Sequence, residues 1–169
     1  MAEITIRPIT YDDTENIIRW RNSDYVRARF LDRALFTKES HEKWLKNYVE
    51  PGRVAQFIIQ LDGEGVGSVY LRDIDKEKKE AEFGIFIGEE SARGKGVGTE
   101  SARLILKYAF EELGLKTVFL RVIKDNKGAI RSYEKAGFKL NGKVENTETE
   151  DGVVEVVFME LEAKDFAGK

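Results

Sequence analysis

The segment with the clearest chemical potential is a glycine-rich stretch, Arg93-Gly94-Lys95-Gly96-Val97-Gly98, which precedes a long helical pattern. Its three glycines allow a tight turn and let the main chain approach a ligand without obstruction by Cβ atoms. The free N–H groups and the positive dipole end of the following helix attract anions. The pattern therefore predicts a phosphate site, and a tight loop that holds no ligand is the alternative.

Two common phosphate motifs do not match this stretch. Walker A requires Gly-Lys followed by Ser or Thr, but Gly96 follows Lys95. The Rossmann fingerprint requires glycine at the position of Thr99. Both motifs also need a strand that runs directly into the glycines, whereas residues 88–92 intervene. The stretch is therefore neither a Walker A loop nor a Rossmann loop.

The residue inventory excludes several other kinds of chemistry. The 169 residues include no Cys, which rules out disulfides, thiolate metal sites and a cysteine nucleophile, and the single histidine, His41, rules out a His-rich zinc site. We therefore predict no metal. A net charge of −3 gives no electrostatic footprint for general nucleic-acid binding.

The same inventory bears on where the protein works. The first ten residues contain no apolar run of signal-peptide length, and no stretch of about 20 apolar residues occurs. The absence of Cys fits a reducing compartment. We expect a cytoplasmic protein with neither a membrane nor a nucleic acid as partner.

The elements that must position the glycine-rich stretch follow from hydrophobic periodicity. Residues 4–9 alternate like a strand, and Asp12-Asp13-Thr14 offers N-cap chemistry for a helix that breaks near Asn22-Ser23. Thr37 opens a second helix, which Pro51-Gly52 stops. Residues 54–61, 66–74 and 81–87 are β-rich and predict an antiparallel meander with turns at 62–65 and 75–79.

The second half of the chain predicts helices alternating with strands. Residues 97–113 place an apolar stripe on one helix face, with Gly114 as the C-cap. A strand at 117–123, a helix at 126–136 and strands around 138–144 and 153–162, joined by an acidic loop, complete the pattern. The prediction is a single mixed α/β (α+β) domain over residues 1–169, because neither a repeat nor a linker divides it.

Three pieces of sequence together resemble the GNAT acetyltransferases, the GCN5-related N-acetyltransferases. Arg93, Gly96 and Gly98 fit that family's phosphate-loop signature. Residues 81–88 resemble its fourth strand, and residues 125–138, from Asp125-Asn126 to Gly137-Phe138, resemble its asparagine-to-glycine-phenylalanine segment. The three lie in the family's order and spacing, and the likeness covers roughly residues 54–162.

The resemblance implies a fold and a cofactor. The fold is a mixed, mostly antiparallel sheet of about seven strands, with helices on both faces and a V-shaped splay between strands four and five. Acetyl-CoA would lie in the splay, its pantetheine arm pairing with strand four like an added strand. A main-chain N–H near Phe86 or Ile87 would polarise the thioester. The implied cofactor residues are Phe86, Ile87, Arg93, Gly94, Lys95, Gly96, Val97, Gly98, Thr99, Asn126 and Ala129. Residues 54–162 then form the acetyl-CoA-binding core and residues 1–53 the acceptor side.

The resemblance also implies catalytic roles. An amine must lose a proton before it attacks, and the leaving thiolate must gain one. Tyr133, seven residues after Asn126, matches the family tyrosine that protonates the sulfur, whereas a ring packed on the sheet is the alternative. Glu82 matches an acidic strand-four residue that acts as base through water, and a solvated strand glutamate is the alternative. Asn126 has a structural alternative as well, as an N-cap. Without Cys, direct attack in a ternary complex is favoured over a covalent acetyl-sulfur intermediate.

The acceptor side carries an arginine cluster. Arg19, Arg21, Arg27, Arg29 and Arg33 lie within fifteen positions. They form either solvated helix faces with nearby aspartates or a cationic mouth, which would favour an acceptor with phosphate or carboxylate over a polyamine. His41 is predicted to be a surface or an acceptor-contacting residue rather than a catalytic one.

A second, more specific resemblance bears on which molecule accepts the acetyl group. Trp20-Arg21-Asn22, Val26-Arg27, His41 and Trp44 resemble the branch of ribosomal-protein N-terminal acetyltransferases and amino-sugar N-acetyltransferases of pseudaminic acid biosynthesis. We therefore place Trp20, Arg21, Arg27 and His41 in the acceptor site. A nucleotide-linked amino sugar or a protein N-terminus ranks above a polyamine. A non-catalytic acetyl-CoA sensor is the alternative to an enzyme, and the family's frequent dimers imply a homodimer.

Overall fold

Seven strands form one sheet in a computed structural model that describes residues 2–166. The strands are β1 Ile4–Pro8, β2 Ala55–Leu61, β3 Glu64–Asp75, β4 Glu80–Ile87, β5 Thr117–Ile123, β6 Lys139–Thr149 and β7 Gly152–Glu162. Their order across the sheet is β1-β2-β3-β4-β5-β7-β6. β4 and β5 pair in parallel, and the other neighbours pair antiparallel. The predicted mixed sheet is confirmed.

Within the described residues, five α-helices cover the sheet. They are α1 Thr14–Arg21, α2 Asp24–Arg27, α3 Lys38–Trp44, α4 Val97–Lys107 and α5 Lys127–Ala136, and π-helical turns at Leu45–Val49 and Tyr108–Glu112 extend α3 and α4. The break between α1 and α2 lies at the predicted Asn22-Ser23, where the Ser23 hydroxyl accepts from the Val26 N–H. The predicted cap at residues 12–14 is instead a capping box between Thr10 and Asp13.

The alternation of side chains along the strands separates two hydrophobic cores. One face of the sheet, including Ile59, Leu71 and Phe83, packs with the buried side chains of α4 and α5. The opposite face, including Ile58 and Phe86, packs with side chains from the α1–α3 region. Because successive strand residues point to opposite faces, neighbours such as Ile58 and Ile59 serve different cores. The helices therefore lie on both faces of the sheet.

Two connections differ from the sequence-based expectation. The β2–β3 turn is confined to Asp62 and Gly63, both at positive φ, because such a pair closes a hairpin in two residues. The predicted acidic loop before residue 153 is mostly strand, since β6 continues to Thr149 and turns at residues 150–151. β6 is an edge strand with almost every side chain exposed, so no apolar alternation marks it, and pairing with β7 holds it in place.

Candidate active site

The sheet splits between its two central strands. β4 and β5 pair only from Glu80 to Glu82, opposite Thr117 to Phe119. Beyond Glu82 the two strands separate, so the β4 edge from residue 83 onward carries main-chain N–H and C=O groups that β5 does not satisfy. Such an edge can pair with an extended ligand. Glu82 stands at the vertex of this split.

The glycine-rich stretch lies beyond the end of β4 and starts α4. Gly94 and Gly96 both have φ of +75°, and no side chain caps the helix at Gly96. The first N–H groups of α4 therefore remain free to donate to an anion. A Cβ at either glycine would meet no atom within 4 Å, so the main chain there faces open space. This geometry is that of an anion cradle.

Arg93 fastens this cradle to the rest of the molecule. Its Nε and Nη2 donate to the carbonyls of Ile87 (3.1 Å) and Gly88 (3.3 Å) at the end of β4. Its guanidinium also stacks on the Tyr25 ring of α2, with Cζ 3.5 Å from the ring centroid. Arg93 therefore holds the loop in position and joins it to the acceptor side.

α5 completes the cradle. The Asn126 side chain caps this helix by accepting from the Ala129 N–H at 3.3 Å, so its predicted capping role is observed. Gly98 lets α4 and α5 approach, because a Cβ there would lie 3.4 Å from the Ser132 hydroxyl oxygen. Lys127, Arg131 and Lys135 bring cationic side chains to the α5 wall of the cavity described next.

A cavity of about 1260 Å³ runs from the cradle through the split to the α1–α3 side of the sheet. Both predicted catalytic residues line it, as do all predicted cofactor residues except Lys95, whose side chain is exposed. Of the predicted acceptor residues, Arg21 and His41 line it, whereas Trp20 and Arg27 do not. The structure thus brings most of the predicted site together.

Trp20 and Arg27 have structural contacts instead. Trp20 is 1% exposed and donates its indole N–H to Glu89 (2.7 Å), and a Cβ at Gly88 would overlap its ring. Arg27 donates from Nε and Nη2 to the carbonyl of Arg33 at 3.0 and 2.8 Å. The Trp20 indole N–H and two of the three guanidinium nitrogens of Arg27 are therefore engaged within the protein.

The two predicted catalytic side chains approach the split from opposite faces of the sheet. Tyr133 lies on α5 and packs edge-to-face on Phe83, with ring centroids 5.6 Å apart. Burial raises the pKa of Tyr133, and the neighbouring Tyr70 raises it further, so the phenol keeps its proton at neutral pH. Glu82 is 9% exposed and receives Arg121 Nε at 2.9 Å and Nη2 at 3.4 Å.

Arg21 lines the cavity on the α1–α3 side of the sheet and carries a positive charge there. Its guanidinium lies between the rings of Phe30 and Phe36, with Cζ 3.8 and 4.4 Å from their centroids. Arg21 is 7% exposed, and its buried Nη1 has no hydrogen-bond partner among the described residues. Burial lowers the pKa of Arg21 most strongly, Tyr70 and Asp32 oppose this with smaller effects, and the positive charge of Arg72 adds the smallest effect, which lowers the pKa. The charge is therefore held in an unfavourable place.

His41 lies on the same side but carries no charge at neutral pH. It is 1% exposed, which contradicts the expectation of a surface residue, and its Nδ1 is 2.9 Å from the Thr14 hydroxyl oxygen. Its Nε2 has no partner within the described chain. Burial lowers the pKa of His41 to about 4, despite the opposing charge of Asp13.

Sequence reasoning missed several residues of the cavity. Tyr70, Arg72 and Arg121 line it from β3 and β5. Tyr70 and Arg72 are two positions apart on a strand, and Arg121 interrupts an otherwise apolar strand, so alternation could have placed them on the site-facing side. Phe30 and Phe36 lie between the predicted helices, where periodicity gives no signal.

The chain matches the family model of the Acetyltransferase (GNAT) domain over residues 3–139. It is a GNAT acetyltransferase. This enzyme family uses acetyl-CoA as the acetyl donor, in agreement with the cofactor expected from the sequence.

The names of some individual relatives give a substrate, and others do not. Spermidine N(1)-acetyltransferase of Escherichia coli K12 is 28% identical over 141 residues, 83% of this chain and 75% of the relative. Acetyltransferase PseH of Campylobacter jejuni is 29% identical over 132 residues, 76% of this chain and 78% of the relative. The fold superposes on spermidine N-acetyltransferase of Vibrio cholerae, solved with CoA and spermine, with a TM-score of 0.88, 22% identity and 96% coverage of both chains.

The residues present fit acetyl-CoA. The uncapped α4 start and the open space in front of Gly94 and Gly96 suit a diphosphate, and the β4 edge suits an extended amide-containing arm. Residues 2–166 contain no cluster of three or more side chains suited to a metal ion. Nor do they contain a helix long and apolar enough to span a bilayer.

Proposed function

We propose that this acetyltransferase acts on a primary amine whose molecule also carries a phosphate or carboxylate group. The observation that carries this proposal is the buried guanidinium of Arg21, which lines the cavity with an Nη1 that has no hydrogen-bond partner among the described residues. Its Nη2 donates only a long hydrogen bond, 3.5 Å, to the Asp32 carbonyl. A buried cation with so few partners costs stability, so an anionic group of the substrate accounts for its presence.

The geometry around Arg21 supports an anionic partner. The Phe30 and Phe36 rings fix the plane of the guanidinium, which leaves its fork oriented and little rotamer freedom to lose on binding. Guanidinium forks match the oxygens of phosphate and carboxylate. Arg72 adds positive charge beside it, although its Nε lies 3.4 Å from Asp73. A nucleotide-linked amino sugar fits this chemistry, and so does a protein N-terminus with a nearby acidic group.

The catalytic roles proposed for this chain follow from the two faces of the split. Bound acetyl-CoA supplies the thioester. Glu82, at the vertex, is the final acceptor of the proton that the acceptor ammonium must lose, which reaches it through intervening groups such as water. Tyr133 holds a proton at its hydroxyl for the sulfur that leaves. N–H groups of the α4 start bind phosphate, and a main-chain N–H near Phe86 or Ile87 polarises the carbonyl. With no Cys in the chain, we propose direct attack by the amine.

A polyamine is the second candidate acceptor, and the relatives named as spermidine acetyltransferases favour it. Acidic side chains do line the cavity: Asp32 and Glu150 lie on its acceptor side, and Glu82 lies at the vertex. However, Arg121 pairs with Glu82, and Arg21, Arg29 and Arg72 line the same part of the cavity, so its lining carries no excess of negative charge for a polycation. The charge pattern therefore favours the anionic acceptor.

An amine panel tests the acceptor. CoA thiol release is measured with spermidine, spermine, a nucleotide-linked amino sugar and a peptide with an acidic N-terminal segment. We expect turnover with an anionic acceptor and little with the polyamines. Arg21→Met should raise KM for the anionic acceptor at least about 10-fold, since one charge-assisted hydrogen bond contributes about 1.5–3 kcal/mol. The same change should alter the free energy of unfolding little, because removal of a buried charge with few partners offsets the lost contacts with Asp32 and the two rings.

Arg53→Met is the matched control, because Arg53 is exposed, stacks on Tyr48 and does not line the cavity. It should leave both KM and stability unchanged. Efficient turnover of spermidine, with Arg21→Met faster than wild type, would assign the polyamine instead. Tight acetyl-CoA binding without thiol release for any amine would mean that the chain is a sensor and not an enzyme.

A further inference from the structure

The side chain of Tyr70, on β3, lies across the neighbouring strand β4 and so reaches the centre of the candidate site. It pairs with Gly84 in the β3–β4 ladder. A Cβ built on Gly84 would overlap the Tyr70 ring and lie 2.5 Å from its hydroxyl oxygen. The phenol therefore occupies the space that any other side chain at position 84 would take. Gly84 is required here for space and not for a special backbone conformation.

This placement brings the Tyr70 hydroxyl to the same side of the sheet as Glu82. Glu82 and Gly84 are two positions apart on β4, so both face the same way. The next cross-strand pair on that face is Arg72 with Glu82. Tyr70, Glu82 and Arg21 all line the one cavity. The hydroxyl thus stands between the acceptor side and the vertex of the split.

The surroundings keep this phenol protonated. Burial raises the pKa of Tyr70. The charged groups that act on it are Arg21 from α1, Arg72 from β3, Glu82 from β4 and Arg121 from β5, of which only Glu82 raises the pKa. From the other face of the sheet, Tyr133 is also close enough to interact. A neutral phenol can accept one hydrogen bond while it donates another.

Glu82 by itself is poorly placed to receive a proton from an amine. Arg121 occupies both of its carboxylate oxygens, at 2.9 and 3.4 Å, and the side chain is 12% exposed. Each oxygen keeps a further lone pair, which a donor on the cavity side can use. Tyr70 offers a hydroxyl on that side.

Resting on the proposed function, we propose that Tyr70 is a catalytic residue that relays the proton of the acceptor ammonium to Glu82. The ammonium N–H bond breaks as the proton bonds to the Tyr70 oxygen, and the original phenolic proton passes through one water to the Glu82 carboxylate. The ammonium becomes a neutral amine, Glu82 becomes a neutral acid, and Tyr70 is unchanged. The two phenols of the site then serve different steps, Tyr70 at the amine and Tyr133 at the sulfur.

Tyr70→Phe tests the relay, because it keeps the ring over Gly84 and removes only the hydroxyl. The assay uses whichever amine of the panel the wild-type protein acetylates. We expect kcat at pH 7 to fall on the order of 10²-fold, the usual contribution of a positioned proton-transfer group. The deficit should shrink as the pH approaches the pKa of the amine, since free amine needs no relay. Acetyl-CoA affinity, measured by titration calorimetry, should not change.

Tyr108→Phe is the matched control, since Tyr108 packs on Phe57 with ring centroids 5.1 Å apart and does not line the cavity. It should behave as wild type. If Tyr70→Phe keeps the wild-type kcat, or loses activity equally at every pH, the relay is wrong while the acetyltransferase proposal stands. If wild-type protein releases no thiol with any amine, the proposed function fails, and the relay fails with it.

Discussion

His41 shows how burial decides what a single side chain can contribute. The imidazole is 1% exposed and has a pKa of about 4, because burial disfavours its charged form. At neutral pH it adds hydrogen-bonding capacity to the acceptor side but no positive charge. Its Nε2, which has no partner within residues 2–166, is therefore suited to a polar group of a ligand in the cavity and unsuited to balancing a phosphate.

The same pKa predicts how stability depends on pH. An unfolded histidine has a pKa of about 6.5, so between pH 6.5 and 4 the unfolded chain binds a proton that the folded protein does not. Stability should therefore fall as the pH drops through this window, by up to about 3 kcal/mol at 1.36 kcal/mol per pKa unit and less with solvent screening. Urea unfolding of wild type and His41→Gln at pH 7 and pH 4.5 measures this contribution.

The comparison between the two proteins is what isolates His41, because carboxylates also begin to titrate near pH 4. His41→Gln should lose less stability than wild type between the two pH values. An equal loss in both proteins would show that the folded imidazole titrates normally, contrary to the burial argument.

At the scale of elements, the start of α4 gives the cradle its function. Its glycines serve two separate purposes, a left-handed backbone at Gly94 and Gly96 and a close helix contact at Gly98. A Cβ at Gly96 would meet no atom of the described residues within 4 Å, and Gly96 lines the cavity at the start of α4. Strain and ligand exclusion can therefore be separated experimentally.

Gly96→Ala should destabilise the protein by about 1–2 kcal/mol, the cost of a left-handed conformation with a Cβ. It should also weaken acetyl-CoA binding at least about 10-fold, because the methyl group obstructs the anion. Gly63→Ala is a matched control, since Gly63 has φ of +85° and equally open surroundings in the β2–β3 turn, away from the cavity. It should show the same loss of stability with normal affinity by titration calorimetry. Equal affinities for the two variants would place the phosphates elsewhere.

Periodicity predicted the elements whose side chains alternate between core and solvent. The strand at residues 117–123 matches its prediction, and α5 begins one residue after its Asn126 cap. Periodicity could not predict β6, because most of its side chains are exposed to solvent and backbone pairing with β7 defines the strand. The π-helical turns after α3 and α4 also escape it, because they continue a helical pattern without changing its polarity.

Sequence reasoning reached the local parts of the candidate site but not its long-range contacts. The loop of residues 93–98 is local, so its letters alone indicated an anion cradle. The Glu82–Arg121 pair joins residues 39 positions apart, and the Tyr70–Gly84 crossing depends on the register of two strands. Neither contact can be predicted from the spacing of the residues in the sequence. Trp20 and Arg27 were assigned by resemblance, and tertiary contacts engage both side chains elsewhere.

At the scale of the whole molecule, Arg33 links the segment between α2 and α3 to the β6–β7 turn, which lies more than 100 residues later in the sequence. It is 7% exposed and donates from Nη1 to Asp151 at 3.1 Å, while its backbone N–H donates to Glu150 at 2.8 Å. Its other guanidinium nitrogens bind the carbonyls of Phe30 (2.9 Å) and Ala28 (3.1 Å). The β6–β7 turn is thereby tied to residues 28–33, next to the ring of Phe30 that holds Arg21.

Arg33→Met should therefore loosen both tied segments without harming the cofactor cradle. Removing hydrogen bonds from a buried charged group costs about 1.5–3 kcal/mol each, and Asp151 is left solvated because its side chain is 65% exposed. Amide hydrogen exchange at residues 28–36 and 148–153 should accelerate on the order of 10-fold or more, and acetyl-CoA affinity should stay the same. Lys124→Met, which breaks the exposed Lys124–Glu155 pair (3.3 Å), should change neither. Unchanged exchange in Arg33→Met would mean that packing alone holds the turn against the acceptor side, and that the acceptor pocket keeps its shape without this tether.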